Sequence, residues 1–330
     1  MGIVEAMDRR DFLRVAGTIG GVVMLGSLEP WERLNWALQR PSAIDQRVVD
    51  DLEAVTVALA KLEREIQAPR LLLNPVTVHL DSLMALLRGN PGTTVHRQLC
   101  SLAAEAAALA GWLRWDLGDM GGAAGYFKAG LKATQEAGDT ALGAYLLGSL
   151  ASAPFYQERP ERRLRILGQA AGATPHTAAW LRTLEAGAYA LSGRLGDFQM
   201  ASDAAKELLV RTDSEESRPR TPFFGVVYLA EEEAAGYLRL GMPATAAGTL
   251  HQVLDQAQGR MRLWLHADLA YAAAAEGETE LAVQYAMEIL GQAQADAIEP
   301  VMENLRRLPD ALPSKLDPAA VAYIEALGLV

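Results

Sequence analysis

The sequence predicts an all-α chain built from repeated helix pairs, and three observations carry that prediction. The first is composition: hydrophobic residues make up 50 % of the chain, aromatics only 6 %, and Ala and Leu dominate the apolar set. Neither is β-branched, and both lose little side-chain freedom in a helix. A run such as Leu102-Ala103-Ala104-Glu105-Ala106-Ala107-Ala108-Leu109 suits a helix and not a strand. The second is a recurrence of short turns marked by Gly or Pro. The third is a set of small residues at fixed distances from those turns. At 330 residues the chain is long for one compact core, which suits an extended array.

Residues 1–46 form an N-terminal segment with two open readings. Asp8-Arg9-Arg10-Asp11-Phe12-Leu13-Arg14 resembles a twin-arginine export motif. The apolar stretch after it, residues 15–28, is too short to span a bilayer, which needs about 20 apolar residues, but has the length of a signal core. Asp8 stands where the motif prefers Ser or Thr, and no small-x-small cleavage site precedes Glu29-Pro30-Trp31-Glu32. The other reading is a helix packed on the array, in a cytoplasmic protein. Residues 47–92 predict a helical pair, with helices from Asp51 to Ile66 and from Leu71 to Leu87, stopped by Pro69 and by Gly89-Asn90-Pro91-Gly92.

Residues 93–296 carry the repeats. Turns at Gly118-Asp119, Glu158-Arg159, Gly193-Arg194, Gly241-Met242 and Gly277-Glu278 lie 40, 35, 48 and 36 residues apart. Helix-turn-helix repeats of the tetratricopeptide class have a period of about 34 residues. With the turn residue at position 15, position 8 holds Gly111, Ala151, Ala186, Ala234 and Ala270, and position 20 holds Ala123, Ala246 and Ala282. Small residues there let the two helices of a pair approach closely, beside Phe127, Leu167 and Leu250 at position 24. Arg163 and Phe198 break the pattern at position 20, so a register slip of two or three residues is expected around Gly193 and Gly196. The polar stretch from Thr212 to Pro222 is an insertion between repeats. Residues 297–330 predict two short helices, separated by Pro309 and Pro313, that cap the stack. The expected architecture is a right-handed α-solenoid of about five tetratricopeptide-like helix pairs, with extra N-terminal helices and a C-terminal helical cap.

Trp112-Leu113-Arg114-Trp115-Asp116-Leu117-Gly118-Asp119, followed by Tyr126-Phe127 and Glu136-Ala137-Gly138-Asp139, resembles the tetratricopeptide sensor region of actinobacterial transcriptional regulators. Leu73-Asn74-Pro75-Val76-Thr77-Val78-His79-Leu80 and Arg9-Arg10-Asp11-Phe12-Leu13 extend the likeness over nearly the whole chain. In that family the region follows a helix-turn-helix domain of the phage-repressor type, and the Arg-Arg-x-Phe-Leu segment is a junction between domains. Seven residues precede Asp8, too few for such a domain. The resemblance therefore implies a free-standing sensor half that holds a small molecule or short peptide and signals to a protein partner.

In such arrays positions 2, 5, 9 and 12 of the first helix line the concave face. Position 2 carries Tyr145, Trp180, Tyr228 and Trp264; position 9 adds Trp112 and Tyr271, and position 12 adds Trp115 and Phe155. Aromatic rings at these positions would serve a ligand or would pack neighbouring helices, and the sequence leaves both open. The acidic residues near them, Glu105, Asp116, Glu231, Glu232 and Asp268, favour a cationic ligand or basic peptide, partly offset by Arg114 and Arg239. Position 6 (Leu109, Ser149, Leu184, Glu232, Asp268) lacks the Lys and Asn of a carboxylate clamp.

A net charge of −11 and a pI near 5.0 argue against a nucleic-acid surface. The short basic groups around Arg9, Arg159 and Arg218 read as solvated helix ends and loops. Cys100, the single cysteine, excludes a disulfide framework or a multi-cysteine metal site and reads as a buried thiol. His79, His96, His176, His251 and His266 show no His-x-x-x-His spacing, and no phosphate loop, dinucleotide fingerprint or nucleophile elbow is present. The sequence reads as a binding protein without cofactor or catalytic site, with a protein partner and no membrane. An adaptor without a small ligand is the alternative, and homodimerisation stays open.

Overall fold

The computed structural model describes residues 44–65, 69–152, 159–212, 223–296, 298–313 and 317–328. These residues form fourteen α-helices, one 3₁₀ turn at Leu254–Gln256 and no strand. An N-terminal pair, α1 (Gln46–Glu65) and α2 (Pro69–Leu87), precedes five further pairs. These are α3 (Thr93–Asp116) with α4 (Met120–Ala137), and α5 (Thr140–Ser152) with α6 (Pro160–Leu167). Next come α7 (Pro175–Leu191) with α8 (Leu195–Thr212), α9 (Val226–Arg239) with α10 (Pro243–His251), and α11 (Gly259–Ala275) with α12 (Thr279–Asp296). Two helices, α13 (Glu299–Ala311) and α14 (Pro318–Ala326), follow and pack on α11 and α12. The first helices of the five pairs also touch one another in order, α3 to α5, α5 to α7, α7 to α9 and α9 to α11. They form an inner layer. The segment 8–28, Phe155, Glu158 and residues 213–222 lie outside the described residues. No helix among the described residues is long and apolar enough to cross a membrane.

The turns obey the spacing read from the sequence. Gly118, Gly193, Gly241 and Gly277 all adopt positive φ, between 69° and 86°, where a Cβ is disfavoured and glycine ends a helix cheaply. Asp119 then caps α4, its side chain accepting from the Gly122 N–H at 2.9 Å.

No slip of register occurs after Gly193. Helix α8 begins two residues beyond its turn glycine, as α4 does after Gly118. Phe198 stays at its position, fully buried, because the facing residue of the next pair is Gly236. A Cβ there would overlap the Phe198 ring. Arg163 is accommodated in the same way: its guanidinium lies 3.3 Å from where a Cβ of Gly187 would stand. A large residue on an outer helix is thus matched by a missing side chain on the neighbouring inner helix.

Two prolines, Pro69 and Pro309, behave differently from expectation. Pro69 opens α2 instead of merely stopping α1, as a residue without N–H can at the first helical turn. Pro75 lies inside α2. Pro309 lies inside α13, and the break falls after Ala311. Pro309 cannot donate to the carbonyl four residues back. That carbonyl, of Leu305, instead accepts the buried Tyr323 hydroxyl of α14 at 2.7 Å. The N-terminal pair has its own polar bond. Thr56 donates to the Leu52 carbonyl, so the His79 Nε2–H must donate to Thr56, at 2.8 Å. Burial pushes the His79 imidazole down to about 4, which keeps it neutral.

The early and late pairs also meet. Arg260 at the start of α11 bonds Asp116 at the end of α3, at 2.9 and 3.1 Å, and approaches Glu63 of α1 at 3.5 Å. Gly118 abuts Glu299 of α13. Helix α5 is buried on every side: all its residues from Leu142 to Ser152 are buried.

Gly236→Ala is expected to destabilise the fold by about 1–3 kcal/mol through overpacking, read from urea unfolding. Adding Phe198→Leu should recover part of that loss. Additive effects of the two changes would contradict the packing described.

Candidate functional site

The sequence-selected aromatics sit on first helices, and most of them join one path of ring contacts. Trp264 of α11 lies 5.9 Å from Trp115 at the end of α3, centroid to centroid. Trp115 meets Trp112, one turn earlier on the same helix face, at 5.8 Å. The Trp112 indole N–H donates to the Tyr145 hydroxyl of α5 at 2.8 Å. Tyr145 in turn lies 5.6 Å from Trp180 of α7. Phe223, just ahead of α9, closes the path by touching Trp112 at 6.2 Å and both Trp180 and Tyr228 at 5.5 Å. Five inner helices therefore contribute to one aromatic layer.

The members of this layer are not equivalent. Trp180 is 0 % exposed and Tyr145 9 %, so both are core, supporting the layer from behind. Trp112, Trp115, Tyr228 and Trp264 are half-buried, and Phe223 is 36 % exposed. These five carry the accessible ring surface. Tyr271 stands apart. Its hydroxyl donates to the Asn304 carbonyl of α13 at 2.9 Å, and its ring packs in the C-terminal core. Burial pushes its phenol up to about 12. Its helical position suited a groove residue, but α13 covers that side. Phe155 lies outside the described residues.

A group of charges borders the rings on α9 and α11. The Tyr228 hydroxyl donates to Glu232 one turn along α9, at 3.3 Å. Burial pushes the Glu231 carboxyl well above its ordinary range, and the neighbouring Glu232 and Asp268 reinforce the shift. Burial likewise pushes Asp268 up to about 7, with Arg239 pulling the other way and Glu232 adding to the rise. Arg163, from α6, faces Glu232, and burial lowers its guanidinium from its usual value. Glu231 and Tyr228 remain partly accessible although burial is the leading cause of the upward shift in both. Among the described residues, Trp115 Nε1, Arg163 Nε and Asp268 Oδ2 are buried and make no hydrogen bond. Such atoms are costly to leave unpaired, at about 1–3 kcal/mol each.

Asp116 serves a different end. It is fully buried beneath Arg260, and burial pushes its carboxyl up to about 7 against the pull of that guanidinium. It is a structural partner in the contact between early and late pairs. Sequence reasoning missed Phe223 and Arg163. The aromatic doublet Phe223-Phe224 at the end of a polar insertion was the available signal for one. For the other, it was the charged residue at a position that packing reserves for small side chains.

The combination can do specific chemistry. Ring faces attract cations through their quadrupole, worth about 0.5–2 kcal/mol each, and adjacent carboxylates accept charge-assisted hydrogen bonds. Carboxyls held near neutrality would ionise on meeting a cation, so binding and proton release would be linked.

The same groups set a pH dependence. Asp116 and Asp268, ordinarily near 3.8, keep their protons up to about 7 in the fold. Between those values the native state binds protons that the unfolded chain has lost, so stability falls as pH rises and levels off above about 7. His79 acts oppositely between about 4 and 6.5, one group against Asp116, Asp268 and Glu231. The melting temperature is expected to fall from about pH 5 to about pH 8, and Asp268→Asn to reduce that fall. A melting temperature that climbs steadily over the range would refute the assignment. No protein-family model matches the chain, and no curated protein matches it.

Proposed function

We propose that this protein is a non-enzymatic regulatory sensor that holds a small molecule or peptide on its inner aromatic layer and signals to a protein partner. The observation that carries the reading is the ring path from Trp264 to Tyr228, bordered by Glu231, Glu232 and Asp268. The ligand it favours carries a cationic group, an amine or a guanidinium, attached to a flat or apolar body. The resemblance to the sensor region of actinobacterial regulators supports the same reading, as does the tetratricopeptide-like spacing of the turns. Signalling would follow from stacking: each pair contacts its neighbours, so a ligand touching α3, α9 and α11 biases the contact between early and late pairs.

A second reading, an adaptor without a small ligand, has its own support. Trp180 and Tyr145 are closed core, and the N-terminal pair exposes Val55, Leu62, Leu71, Val78 and Met84. Apolar side chains on two adjacent helices suit a protein partner or a second copy.

Native mass spectrometry of the full chain purified from its own host separates the two. The sensor reading expects a retained small mass, released on denaturation, whose occupancy falls at least about tenfold in Trp264→Ala or Glu232→Gln; that corresponds to losing roughly 1.4 kcal/mol of binding. A stoichiometric protein partner with no small ligand would establish the adaptor instead.

A further inference from the structure

A second cluster lies away from the aromatic layer, at the open end of the first repeat pair. His96 and Cys100 are four residues apart on α3, one turn along the same face. Glu136, near the end of α4, reaches across to both. The His96 Nε2 to Cys100 Sγ distance is 3.5 Å, Cys100 Sγ to Glu136 Oε2 is 3.9 Å, and His96 Nε2 to Glu136 Oε2 is 3.7 Å. All three donor atoms lie within 4.8 Å of one another.

These separations have the dimensions of a coordination site. A point equidistant from the three atoms lies roughly 2.1 Å from each, inside the 2.0–2.3 Å range of zinc–nitrogen, zinc–oxygen and zinc–sulfur bonds. That point lies in the plane of the three donors; a tetrahedral cation raised above it would stand about 2.3 Å from each, and the partly exposed His96 and Glu136 leave room for a fourth ligand. Cys100 is 1 % exposed, while the other two donors are partly exposed, so a cation could enter from solvent and seat on a sulfur fixed by packing. In the absence of a cation the Cys100 thiol donates to the Glu136 carboxylate, at 3.9 Å. Burial and Glu136 both push the Cys100 thiol above its usual value.

We propose that His96, Cys100 and Glu136 form a binding site for a borderline-soft divalent cation of the zinc class, with a fourth position open to water. Thiolate, imidazole and carboxylate together suit zinc better than magnesium or calcium, which prefer oxygen ligands alone. Coordination forms a metal–sulfur bond and passes the thiol proton to solvent; no electron is transferred. The cation would fasten the start of α3 to the end of α4. The turn from Leu117 to Asp119 already joins their opposite ends, so the pair would become a closed clamp. The site is independent of the proposed ligand on the inner layer.

Cobalt(II) tests the proposal with an unambiguous readout, because Cys100 is the sole cysteine in the chain. The full-length, tag-free chain, reduced and stripped of metal, is titrated with cobalt(II). One equivalent is expected to raise a thiolate-to-cobalt charge-transfer band in the near ultraviolet and tetrahedral bands in the visible, all removed by zinc. Cys100→Ser should lose the charge-transfer band. His96→Gln and Glu136→Gln, at partly exposed positions, should weaken cobalt binding while leaving the far-ultraviolet circular dichroism of the metal-free chain unchanged. Saturation without a charge-transfer band overturns the proposal, as does unchanged affinity in both of the latter variants.

Discussion

The contact between Arg260 and Asp116 is the constraint on which the rest of the molecule depends. It joins residues 144 positions apart, and it brings the start of α11 against the end of α3. An acid group with no exposed surface is tolerable only with a partner, since leaving a buried polar group unpaired costs about 1–3 kcal/mol. Trp115 and Trp264 meet beside this ion pair, so apolar contact and charge fix the same geometry. The inner layer becomes an interior as a result. An open array would leave one face of α5 and α11 to solvent; here both are buried nearly throughout.

An interior layer needs helices that approach closely, and the chain supplies them by pairing large residues with absent ones. Phe198 against Gly236 and Arg163 against Gly187 are two instances on successive pairs. The alanines at positions 8 and 20 do the same elsewhere, with Ala123, Ala246 and Ala282 all fully buried. The low aromatic content follows from this economy of volume. The few rings present are concentrated where the inner helices converge, which is why a path of contacts can run through five of them.

On the proposed reading the inner layer serves two demands at once. Its fully buried rings hold helices together, and its accessible rings border acidic groups that burial keeps near neutrality. On the proposed sensor reading, binding chemistry and folding stability would draw on the same carboxyls, so a ligand that satisfied Asp268 or Glu231 would also relieve a cost carried by the fold. Lying outside this layer, the His96, Cys100 and Glu136 cluster would act on a single helix pair.

Much of the architecture was legible in the sequence. Helix propensity, the turn glycines and the small residues at fixed positions are local or periodic features, and they identified an all-helical chain of pairs with the correct turn at Gly118, Gly193, Gly241 and Gly277. Local reasoning went astray at Pro309 and Phe198. The carbonyl that Pro309 leaves free is taken by Tyr323 of the next helix, and Phe198 is accommodated by Gly236 of the next pair. Six of the chosen aromatics, Trp112, Trp115, Tyr145, Trp180, Tyr228 and Trp264, share one layer. Tyr271 does not, because α13 covers it. Which rings are wall and which are accessible was decided by packing between helices distant in sequence. Phe223 was placed by packing against Trp112, Trp180 and Tyr228, which no spacing encodes. Period and propensity depend on neighbours along the chain and can be read from it. Burial depends on what the far end of the chain brings back, and only the folded molecule determines that.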